Sequence, residues 1–560
     1  MGATILETLS NRKLVIILAI LLLIQVLSFY IGAFLTPSPS SFEQFTSVHC
    51  HRKDRRHFAI PRYHRVHDSD VGKNCDRSSG IKLTGIDKFE TTTFAVQLPL
   101  PRDGMDLAYS RWMQTLLVIL IPEFQYEPLL AANNIEDQQM NSPVKLDNNF
   151  QLLIDVDLSV KNGGDKDWSL YARRLGLKRT IKCHSHDLKQ SHKLDCDLIQ
   201  LFELQSLHYD YYLINFEIRE DKSTNSTRQF PGKLNEITGV AIHHNGGFTQ
   251  IWLTLKTVYF ALTLATLIWY CKRLNRLNRN TILIERLLIG LGTALTQLNA
   301  PIELLTLYIE IPFMTFMNDL RQGIFYCVLL SFWIVFVGEH LLDGARKNSK
   351  LASYIKELLA ICVASLALLI FDLSERGIQA LDPFLTIWES KPNLANLSIL
   401  IASCASLAYL CFLAYYICLA YGTISGKQSS LPEMQITKRL KYQGMIYRFK
   451  FLLFATIICA LSTFIFYGLS QRNDWSYDED TLGSTSTVEW TSAMLITVCA
   501  MWNLYVIVLM ILYAPSHKGM IVGATMSDQI EFDCLTDDRE EFFEGDMDLL
   551  QQLANKANLD

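Results

Sequence analysis

Nine ionisable side chains stand in or beside long apolar runs: Glu303, Glu310, Asp319, Arg321, Glu339, His340, Asp372, Glu375 and Arg376. Charged groups in such places are costly and usually face a bundle interior or water. A membrane hydrolase or acyltransferase would need a metal cluster, or a nucleophile beside a base. His340 is the sole histidine between residues 245 and 516, which excludes a multi-histidine zinc site within the apolar runs. A Ser–His arrangement would depend on that one ring. With no catalytic constellation, the expectation is a protein that is not an enzyme and uses no cofactor. Asp372, Glu375 and Arg376 fall at i, i+3 and i+4, on one helical face. That spacing predicts pairing between neighbouring helices, or a polar lining at the entrance of a cavity.

The second group is aromatic. The stretch 319–340, DLRQGIFYCVLLSFWIVFVGEH, carries Phe325, Tyr326, Phe332 and Trp333, with Phe336 one turn on. Lipid tails impose little preference between Leu and aromatics. Phe325, Phe332 and Phe336 at helical spacing, with Trp333, therefore either fill volume between helices or line an apolar pocket. A third group, His49, Cys50, His51, His57, His64 and His67, lies among many Arg and Lys. No spacing there matches a zinc-ligand pattern, so the expectation is no metal and a basic loop tied down by Cys50.

These groups must be positioned by elements that cross a membrane. Half of the 560 residues are hydrophobic, an ordinary share, so the signal lies in their clustering. A bilayer core needs about 20 apolar residues in helical form. Eight runs qualify: 14–35, 250–271, 282–304, 322–342, 351–371, 395–421, 449–470 and 490–513. The first exceeds the roughly 7–15 residues of a signal-peptide core and lacks a small-x-small cut site, so it is expected to be an uncleaved anchor. Basic residues mark the cytosolic side: Arg12 and Lys13, the 272–279 and 346–350 clusters, and the loop from Lys427 to Lys450. The opposing stretch QRNDWSYDEDTLGSTSTVE has one Arg and five acids. Both termini are thus expected in the cytosol. Residues 1–13 form the N-terminus, 14–35 the first span, 36–249 a lumenal domain, 250–513 a seven-helix bundle and 514–560 an acidic cytosolic tail. The net charge of −5 averages two compartments, and nothing points to nucleic acid.

The polar domain reads as β. In 150–161, Ile154, Val156, Leu158 and Val160 alternate with Asp155, Asp157, Ser159 and Lys161, which predicts a half-buried strand. Further strands are expected at 92–101, 116–124, 209–219 and 237–244. Short strands split by turn-rich segments suggest an antiparallel sandwich or open barrel. Eight of the 13 cysteines lie in predicted spans and Cys534 lies in the tail. The domain holds Cys50, Cys75, Cys183 and Cys196, an even number that suggests two disulfides. Pairing neighbours (50–75, 183–196) closes the shorter loops, though two other connectivities exist. Asn225-Ser-Thr is a glycosylation sequon in the same domain. A second match, at Asn396, sits at a span's mouth.

Six blocks carry a resemblance: HHNGGFTQIW (243–252), the 319–340 stretch, IFDLSERGIQALDPF (370–384), SGKQSSLP (425–432), YQGMIYRFKF (442–451) and MWNLYVIVLMILYAPSHK (501–518). Together they resemble the Wntless family, membrane proteins that carry lipid-modified Wnt proteins to the surface of the secreting cell. The resemblance runs from about residue 4 to 518. It implies a membrane α-helical fold of eight transmembrane helices, the last seven a receptor-like bundle, plus a lumenal all-β sandwich-like domain. It implies a cargo receptor for palmitoleoylated Wnt, whose acyl chain enters the bundle while its body rests on the lumenal domain. On that reading Phe371, Phe384, Tyr415 and Tyr416 join the aromatics of the fourth span in lining or flanking the slot. Tyr442 and Met445 of YQGM fit an endocytosis signal at the family's internalisation motif. In the tail, Asp546, Asp548, Leu549 and Leu550 fit an acidic di-leucine pattern. Implied partners are Wnt proteins, clathrin adaptors, retromer and membrane lipids, with passage through ER, Golgi, plasma membrane and endosomes. The competing reading is a seven-helix signalling receptor coupled to a G protein.

Overall fold

The computed structural model describes residues 5, 11–51, 75–76, 92–100, 107–126, 148–184, 193–220, 232–276, 281–309, 311, 313–341, 354–430, 446–447, 450–465, 468 and 490–515. Eleven strands are described: β1 (Ser40–Thr46), β2 (Val48–His51), β3 (Cys75–Asp76), β4 (Thr92–Leu98), β5 (Leu116–Tyr126), β6 (Asn148–Lys161), β7 (Ser169–His184), β8 (Lys193–Cys196), β9 (Ile199–Leu204), β10 (Tyr211–Glu220) and β11 (Gly232–His244). All expected strands are among them.

The strands form two antiparallel sheets. One runs β1-β11-β5, with β9 and β8 sharing the far edge of β5; the other runs β7-β6-β10-β4-β2-β3. The short β8 pairs with both β5 and β7 and so turns the corner between the sheets. Leu116, Val118, Leu120 and Phe124 of one sheet meet Ile154, Val156, Leu158, Ile214 and Phe216 of the other in one buried core. Each fully buried side chain of this size is worth about 1.5–3 kcal/mol. The Cys183–Cys196 disulfide closes the corner between β7 and β8. Cys50 and Cys75 are register partners across β2 and β3; their side chains lie outside the described residues.

The expectation of a half-buried β6 is corrected. Asp155, Asp157 and Ser159 are only 7%, 1% and 9% exposed, so both faces of the strand are covered. The polar face is tolerated because it is paired. Arg173 grips Asp157 through two bonds of 2.6 and 2.7 Å, which also lifts the guanidinium above its ordinary pKa. Opposite Asp155 the register of β7 slips by one residue, and Gly176 there adopts φ +68°. That left-handed conformation suits glycine and turns its amide onto Asp155 Oδ1 at 2.6 Å.

Eight helices follow the membrane pattern: α1 (Asn11–Tyr30), α2 (Gly246–Asn275), α3 (Leu283–Asn299), α4 (Met314–Leu341), α5 (Ile355–Leu381), α6 (Pro392–Ser430), α7 (Lys450–Ile465) and α8 (Trp490–Leu512). A π-turn, Ile31–Leu35, prolongs α1. Six stretches are long and apolar enough to cross a bilayer: Val15–Leu35, Gly246–Asn275, Met314–Glu339, Ile355–Leu381, Pro392–Thr423 and Trp490–Leu512. The shorter two are α3 and the described part of α7. The expected span 282–304 is corrected at its end, because α3 stops at Asn299. Ala300 precedes Pro301 and takes the extended conformation that a following proline enforces (φ −57°, ψ 121°). The fourth and fifth expected spans are longer than their apolar runs. As a result Asp319, Arg321, Asp372, Glu375 and Arg376 lie within helices rather than at their rims.

The sandwich joins the bundle without a slack linker. β1 starts five residues after the π-turn, and β11 ends two residues before α2; the two strands pair from Ser40↔His244 to Thr46↔Thr238. Asn245 fixes the turn. Its side chain caps α2 at the amide of Gly247 (2.9 Å), its Nδ2 donates to Ser41 Oγ (3.2 Å), and its amide donates to Pro39 O (3.0 Å). Within the bundle α8 packs against α1, α2 and α3, while α4 packs against α3, α5 and α6.

The first helix is docked rather than dangling. Gln25 Nε2 donates to Thr497 O (2.9 Å) and Ser492 Oγ to Pro37 O (2.6 Å). A Cβ on Gly32 would stand 2.5 Å from Ala493 Cα and 3.0 Å from Ser492 O, so only glycine permits this approach of α1 to α8. The prediction is that Gly32→Leu costs about 1–3 kcal/mol through overpacking. It would be measured as a lower thermal unfolding midpoint of the full chain in detergent. An unchanged midpoint would mean that the close helix contact is dispensable.

Candidate functional site

Two constellations gather the residues singled out from the sequence. The first lies where the sandwich meets α5 and α6. The connection between these helices, residues 382–391, rises into the β-domain. Phe384 is 1% exposed and belongs to the sandwich core, with its ring 6.0 Å from Phe202, edge to face. This places Phe384 away from the other aromatics expected around an apolar slot. Arg179 of β7 secures the connection: Nη2 donates to Phe384 O (2.8 Å), Nε to Gln200 O (3.0 Å) and Nη1 pairs with Glu389. Burial pushes the Arg179 guanidinium down to about 10, which still leaves it charged at neutral pH. Arg174, also on β7, pairs with Asp382 at 3.0 Å, and Glu203 N donates to Pro383 O at 3.1 Å.

Below this connection the charged face of α5 reaches the same domain. Arg376 meets Glu203 of β9 at 3.3 Å and Asp319 of α4 at 3.5 Å. Gln379 donates to Glu203 (3.1 Å) and Glu375 (2.7 Å), and accepts from Gln205 at 2.7 Å. The other oxygen of Glu375 accepts the amide of Ile387 at 2.6 Å. Asp372 feels the charges of both Asp319 and Arg376. Four of the nine ionisable side chains in or beside the apolar runs, Asp319, Asp372, Glu375 and Arg376, are thus brought together.

Arg321 stands in a neighbouring network. Its Nη2 meets Glu303 Oε1 at 2.8 Å, and Lys256 of α2 reaches the same oxygen at 2.5 Å. Its Nη1 accepts nothing but donates twice to the end of α3, at Ala300 O (2.7 Å) and Gln297 O (3.2 Å). All three charged side chains are buried. Breaking such a pair is costly because it strands a charge. Glu339 lies apart, accepting from Tyr354 at 3.1 Å. The side chain of His340, together with Glu310, Tyr442, Met445, Asn225 and the tail residues 546–550, falls outside the described residues.

The second constellation is the aromatic interior of the bundle. Phe325, Phe332 and Phe336 are 2%, 0% and 1% exposed and fill a shared core with residues of α3 and α8. Phe336 touches both Phe332 and Tyr513, with centroids 5.7 Å apart in each pair. Trp333 is half-buried, stacks near Trp502 (6.2 Å) and donates its Nε1–H to Tyr505 Oη at 3.1 Å. Thr456 shares that hydroxyl at 2.8 Å. Tyr326 and Tyr415 are exposed. Tyr416 donates to Glu357 at 2.8 Å, and Phe371 packs edge-on against Trp388. The nine aromatics therefore divide among the bundle core, its outer surface and the sandwich.

Lys256, Arg179, Glu203, Gln379 and Glu389 were not singled out from the sequence. Lys256 had a usable signal, as a lone cation inside the apolar run QIWLTLKTVYF. Arg179 had one too, as the charged member of the otherwise apolar alternation Leu177, Ile181 and Cys183. Among the described residues no three His, Cys, Asp or Glu side chains are grouped to hold a metal ion. The polar groups are arranged to fix helices and strands relative to one another.

Residues 50–244 match the family described as "Wntless, GOLD domain", and residues 245–517 match "Wntless-like, transmembrane domain". Protein wntless of Drosophila pseudoobscura pseudoobscura is 38% identical over 567 residues, covering 96% of this chain and 97% of its own. The protein of the same name from Drosophila persimilis shows the same identity and coverage. That of Drosophila virilis is 36% identical over 571 residues, again covering 96% and 97%.

Removing the Phe384 ring should cost about 3–5 kcal/mol, the range for a buried phenylalanine. Phe384→Ala should therefore lower the unfolding midpoint of the full chain markedly, while Tyr415→Ala, on the exposed surface, leaves it unchanged. Equal midpoints for Phe384→Ala and the unsubstituted chain would refute the anchoring of the 382–391 connection.

Proposed function

We propose a function from one premise: the chain belongs to the Wntless family of multi-pass membrane proteins, matched over 96% of its length. On that premise it serves Wnt secretion as a cargo receptor. It binds palmitoleoylated Wnt in the early secretory pathway, escorts it to the cell surface and returns by endocytosis with clathrin adaptors and retromer. The β-domain lies in the lumen and both termini in the cytosol. Tyr442 and Met445 supply the internalisation signal, and Asn225 carries a glycan.

The physical need is plain. Each acyl CH₂ exposed to water costs about 0.8 kcal/mol, so a lipid-bearing secreted protein requires an apolar host. The observation that carries the reading is family membership over both domains. The geometry adds a division of labour among the aromatics. Phe325, Phe332 and Phe336 are already occupied in the core. Tyr326, Trp333, Phe371, Tyr415 and Tyr416 have free surface and are the candidates to flank the acyl chain. The joint between sandwich and bundle supports this reading, because one chain could then hold the cargo's protein part and its lipid together.

The deciding experiment is a pull-down comparing acylated Wnt with a Ser→Ala Wnt that lacks the lipid. Recovery should fall at least tenfold without the acyl chain, and equal recovery would remove the lipid-host mechanism. Trp333→Ala should weaken capture of acylated Wnt several-fold, with Trp333→Phe closer to the unsubstituted chain. Both variants should elute as the unsubstituted protein does. Undiminished capture by Trp333→Ala would take Trp333 out of the slot.

A further inference from the structure

After α3 ends at Asn299 the chain forms a 3₁₀ helix, Ile302–Leu307, and returns as α4 at Met314. This segment is amphipathic in the inverted sense. Its polar side chains point inward: Glu303 is 3% and Thr306 9% exposed. Its large apolar ones point outward: Leu305 is 49%, Tyr308 81%, Ile309 60% and Phe313 59% exposed. A segment facing water would show the opposite pattern.

Much of the backbone here is hydrogen-bonded within the protein. Arg321 takes up the carbonyls of Gln297 and Ala300 at the broken end of α3. The amide of Leu304 serves Pro301 O, Thr306 Oγ1 serves Glu303 O, and the amides of Tyr308 and Ile309 both serve Leu305 O. Arg111, reaching down from the sandwich, donates to Leu307 O at 3.0 Å. Irregular backbone within a bilayer must be satisfied internally in this manner.

Length supports the same conclusion. The 17 residues of α3 reach about 25 Å, short of a hydrocarbon core of about 30 Å. The six 3₁₀ residues, at about 2 Å each, add roughly 12 Å and complete the crossing. The following helix α4 likewise exposes apolar side chains, Met317 and Ile324.

We propose that residues 302–309 are the second half of a discontinuous third span, docked by their apolar face against the acyl chains of the leaflet on the β-domain side. Tyr308 then sits at the headgroup boundary, where aromatic residues with a polar tip are favoured. The inference is independent of the cargo assignment.

Nitroxide spin labels on Leu305→Cys, Ile309→Cys and Tyr308→Cys of the full chain in phosphatidylcholine nanodiscs, without cargo, test it. Signal from native cysteines is subtracted with the unsubstituted chain, and Asp165→Cys on the sandwich surface is the aqueous reference. The ratio of oxygen to nickel-chelate accessibility should be several-fold higher at 305 and 309 than at 165, and intermediate at 308. A ratio at 305 and 309 equal to that at 165 places the segment in water and overturns the proposal. Low access to both quenchers means protein covers the face, which also overturns it. Tyr308→Cys is a surface change that keeps the test open if Leu305→Cys fails to fold.

Discussion

One arginine ties the two halves of this molecule together. Arg179 stands on the same buried face of β7 as Leu177 and Ile181 and holds a carbonyl and a carboxylate of the loop between α5 and α6, with Phe384 driven into the sandwich core beside it. A guanidinium suits this place because it stays charged when largely buried and serves several acceptors from one planar fork. The Arg376 and Gln379 contacts to Glu203 join α5 itself to the same domain. Sandwich and bundle are therefore not beads on a string. Their chain crossings at Pro39–Ser40 and His244–Asn245, and the captive 382–391 loop, fix the domain at separate points.

Most of the architecture could be inferred from residue patterns, for identifiable reasons. Strand alternation at 150–161 and 237–244 and the long apolar runs report burial directly, because each is a period matched to one medium. The cysteine arithmetic anticipated the bond between Cys183 and Cys196. What pattern could not convey was contact across distance. Phe384 sits between two spans in sequence and is expected there to line or flank a slot, yet it turns upward into the sandwich. Asp155 and Asp157 looked solvent-facing because periodicity reports two faces and not what covers them. Asp319 and Arg376 were recognisable as costly charges, but their partners lie 57 positions apart, and Glu203 lies farther still. The end of α3 needed one local rule, that a residue before proline leaves the helix.

The bundle treats polar groups and aromatics by opposite rules. Charges inside it are held by partners: Glu303 serves both Lys256 and Arg321, while Glu339 and Glu357 accept from tyrosines. Aromatics are allowed to remain partly uncovered, as Trp333 and Tyr326 show.

The strand β7 carries Arg173, Arg174 and Arg179 on the way to Cys183, where the disulfide welds it to β8 at the corner of both sheets. It thus links the sandwich's crosslinked corner to the loop that joins α5 and α6. A displacement of the sandwich would therefore reach α5 and α6 through β7 instead of being absorbed by slack chain.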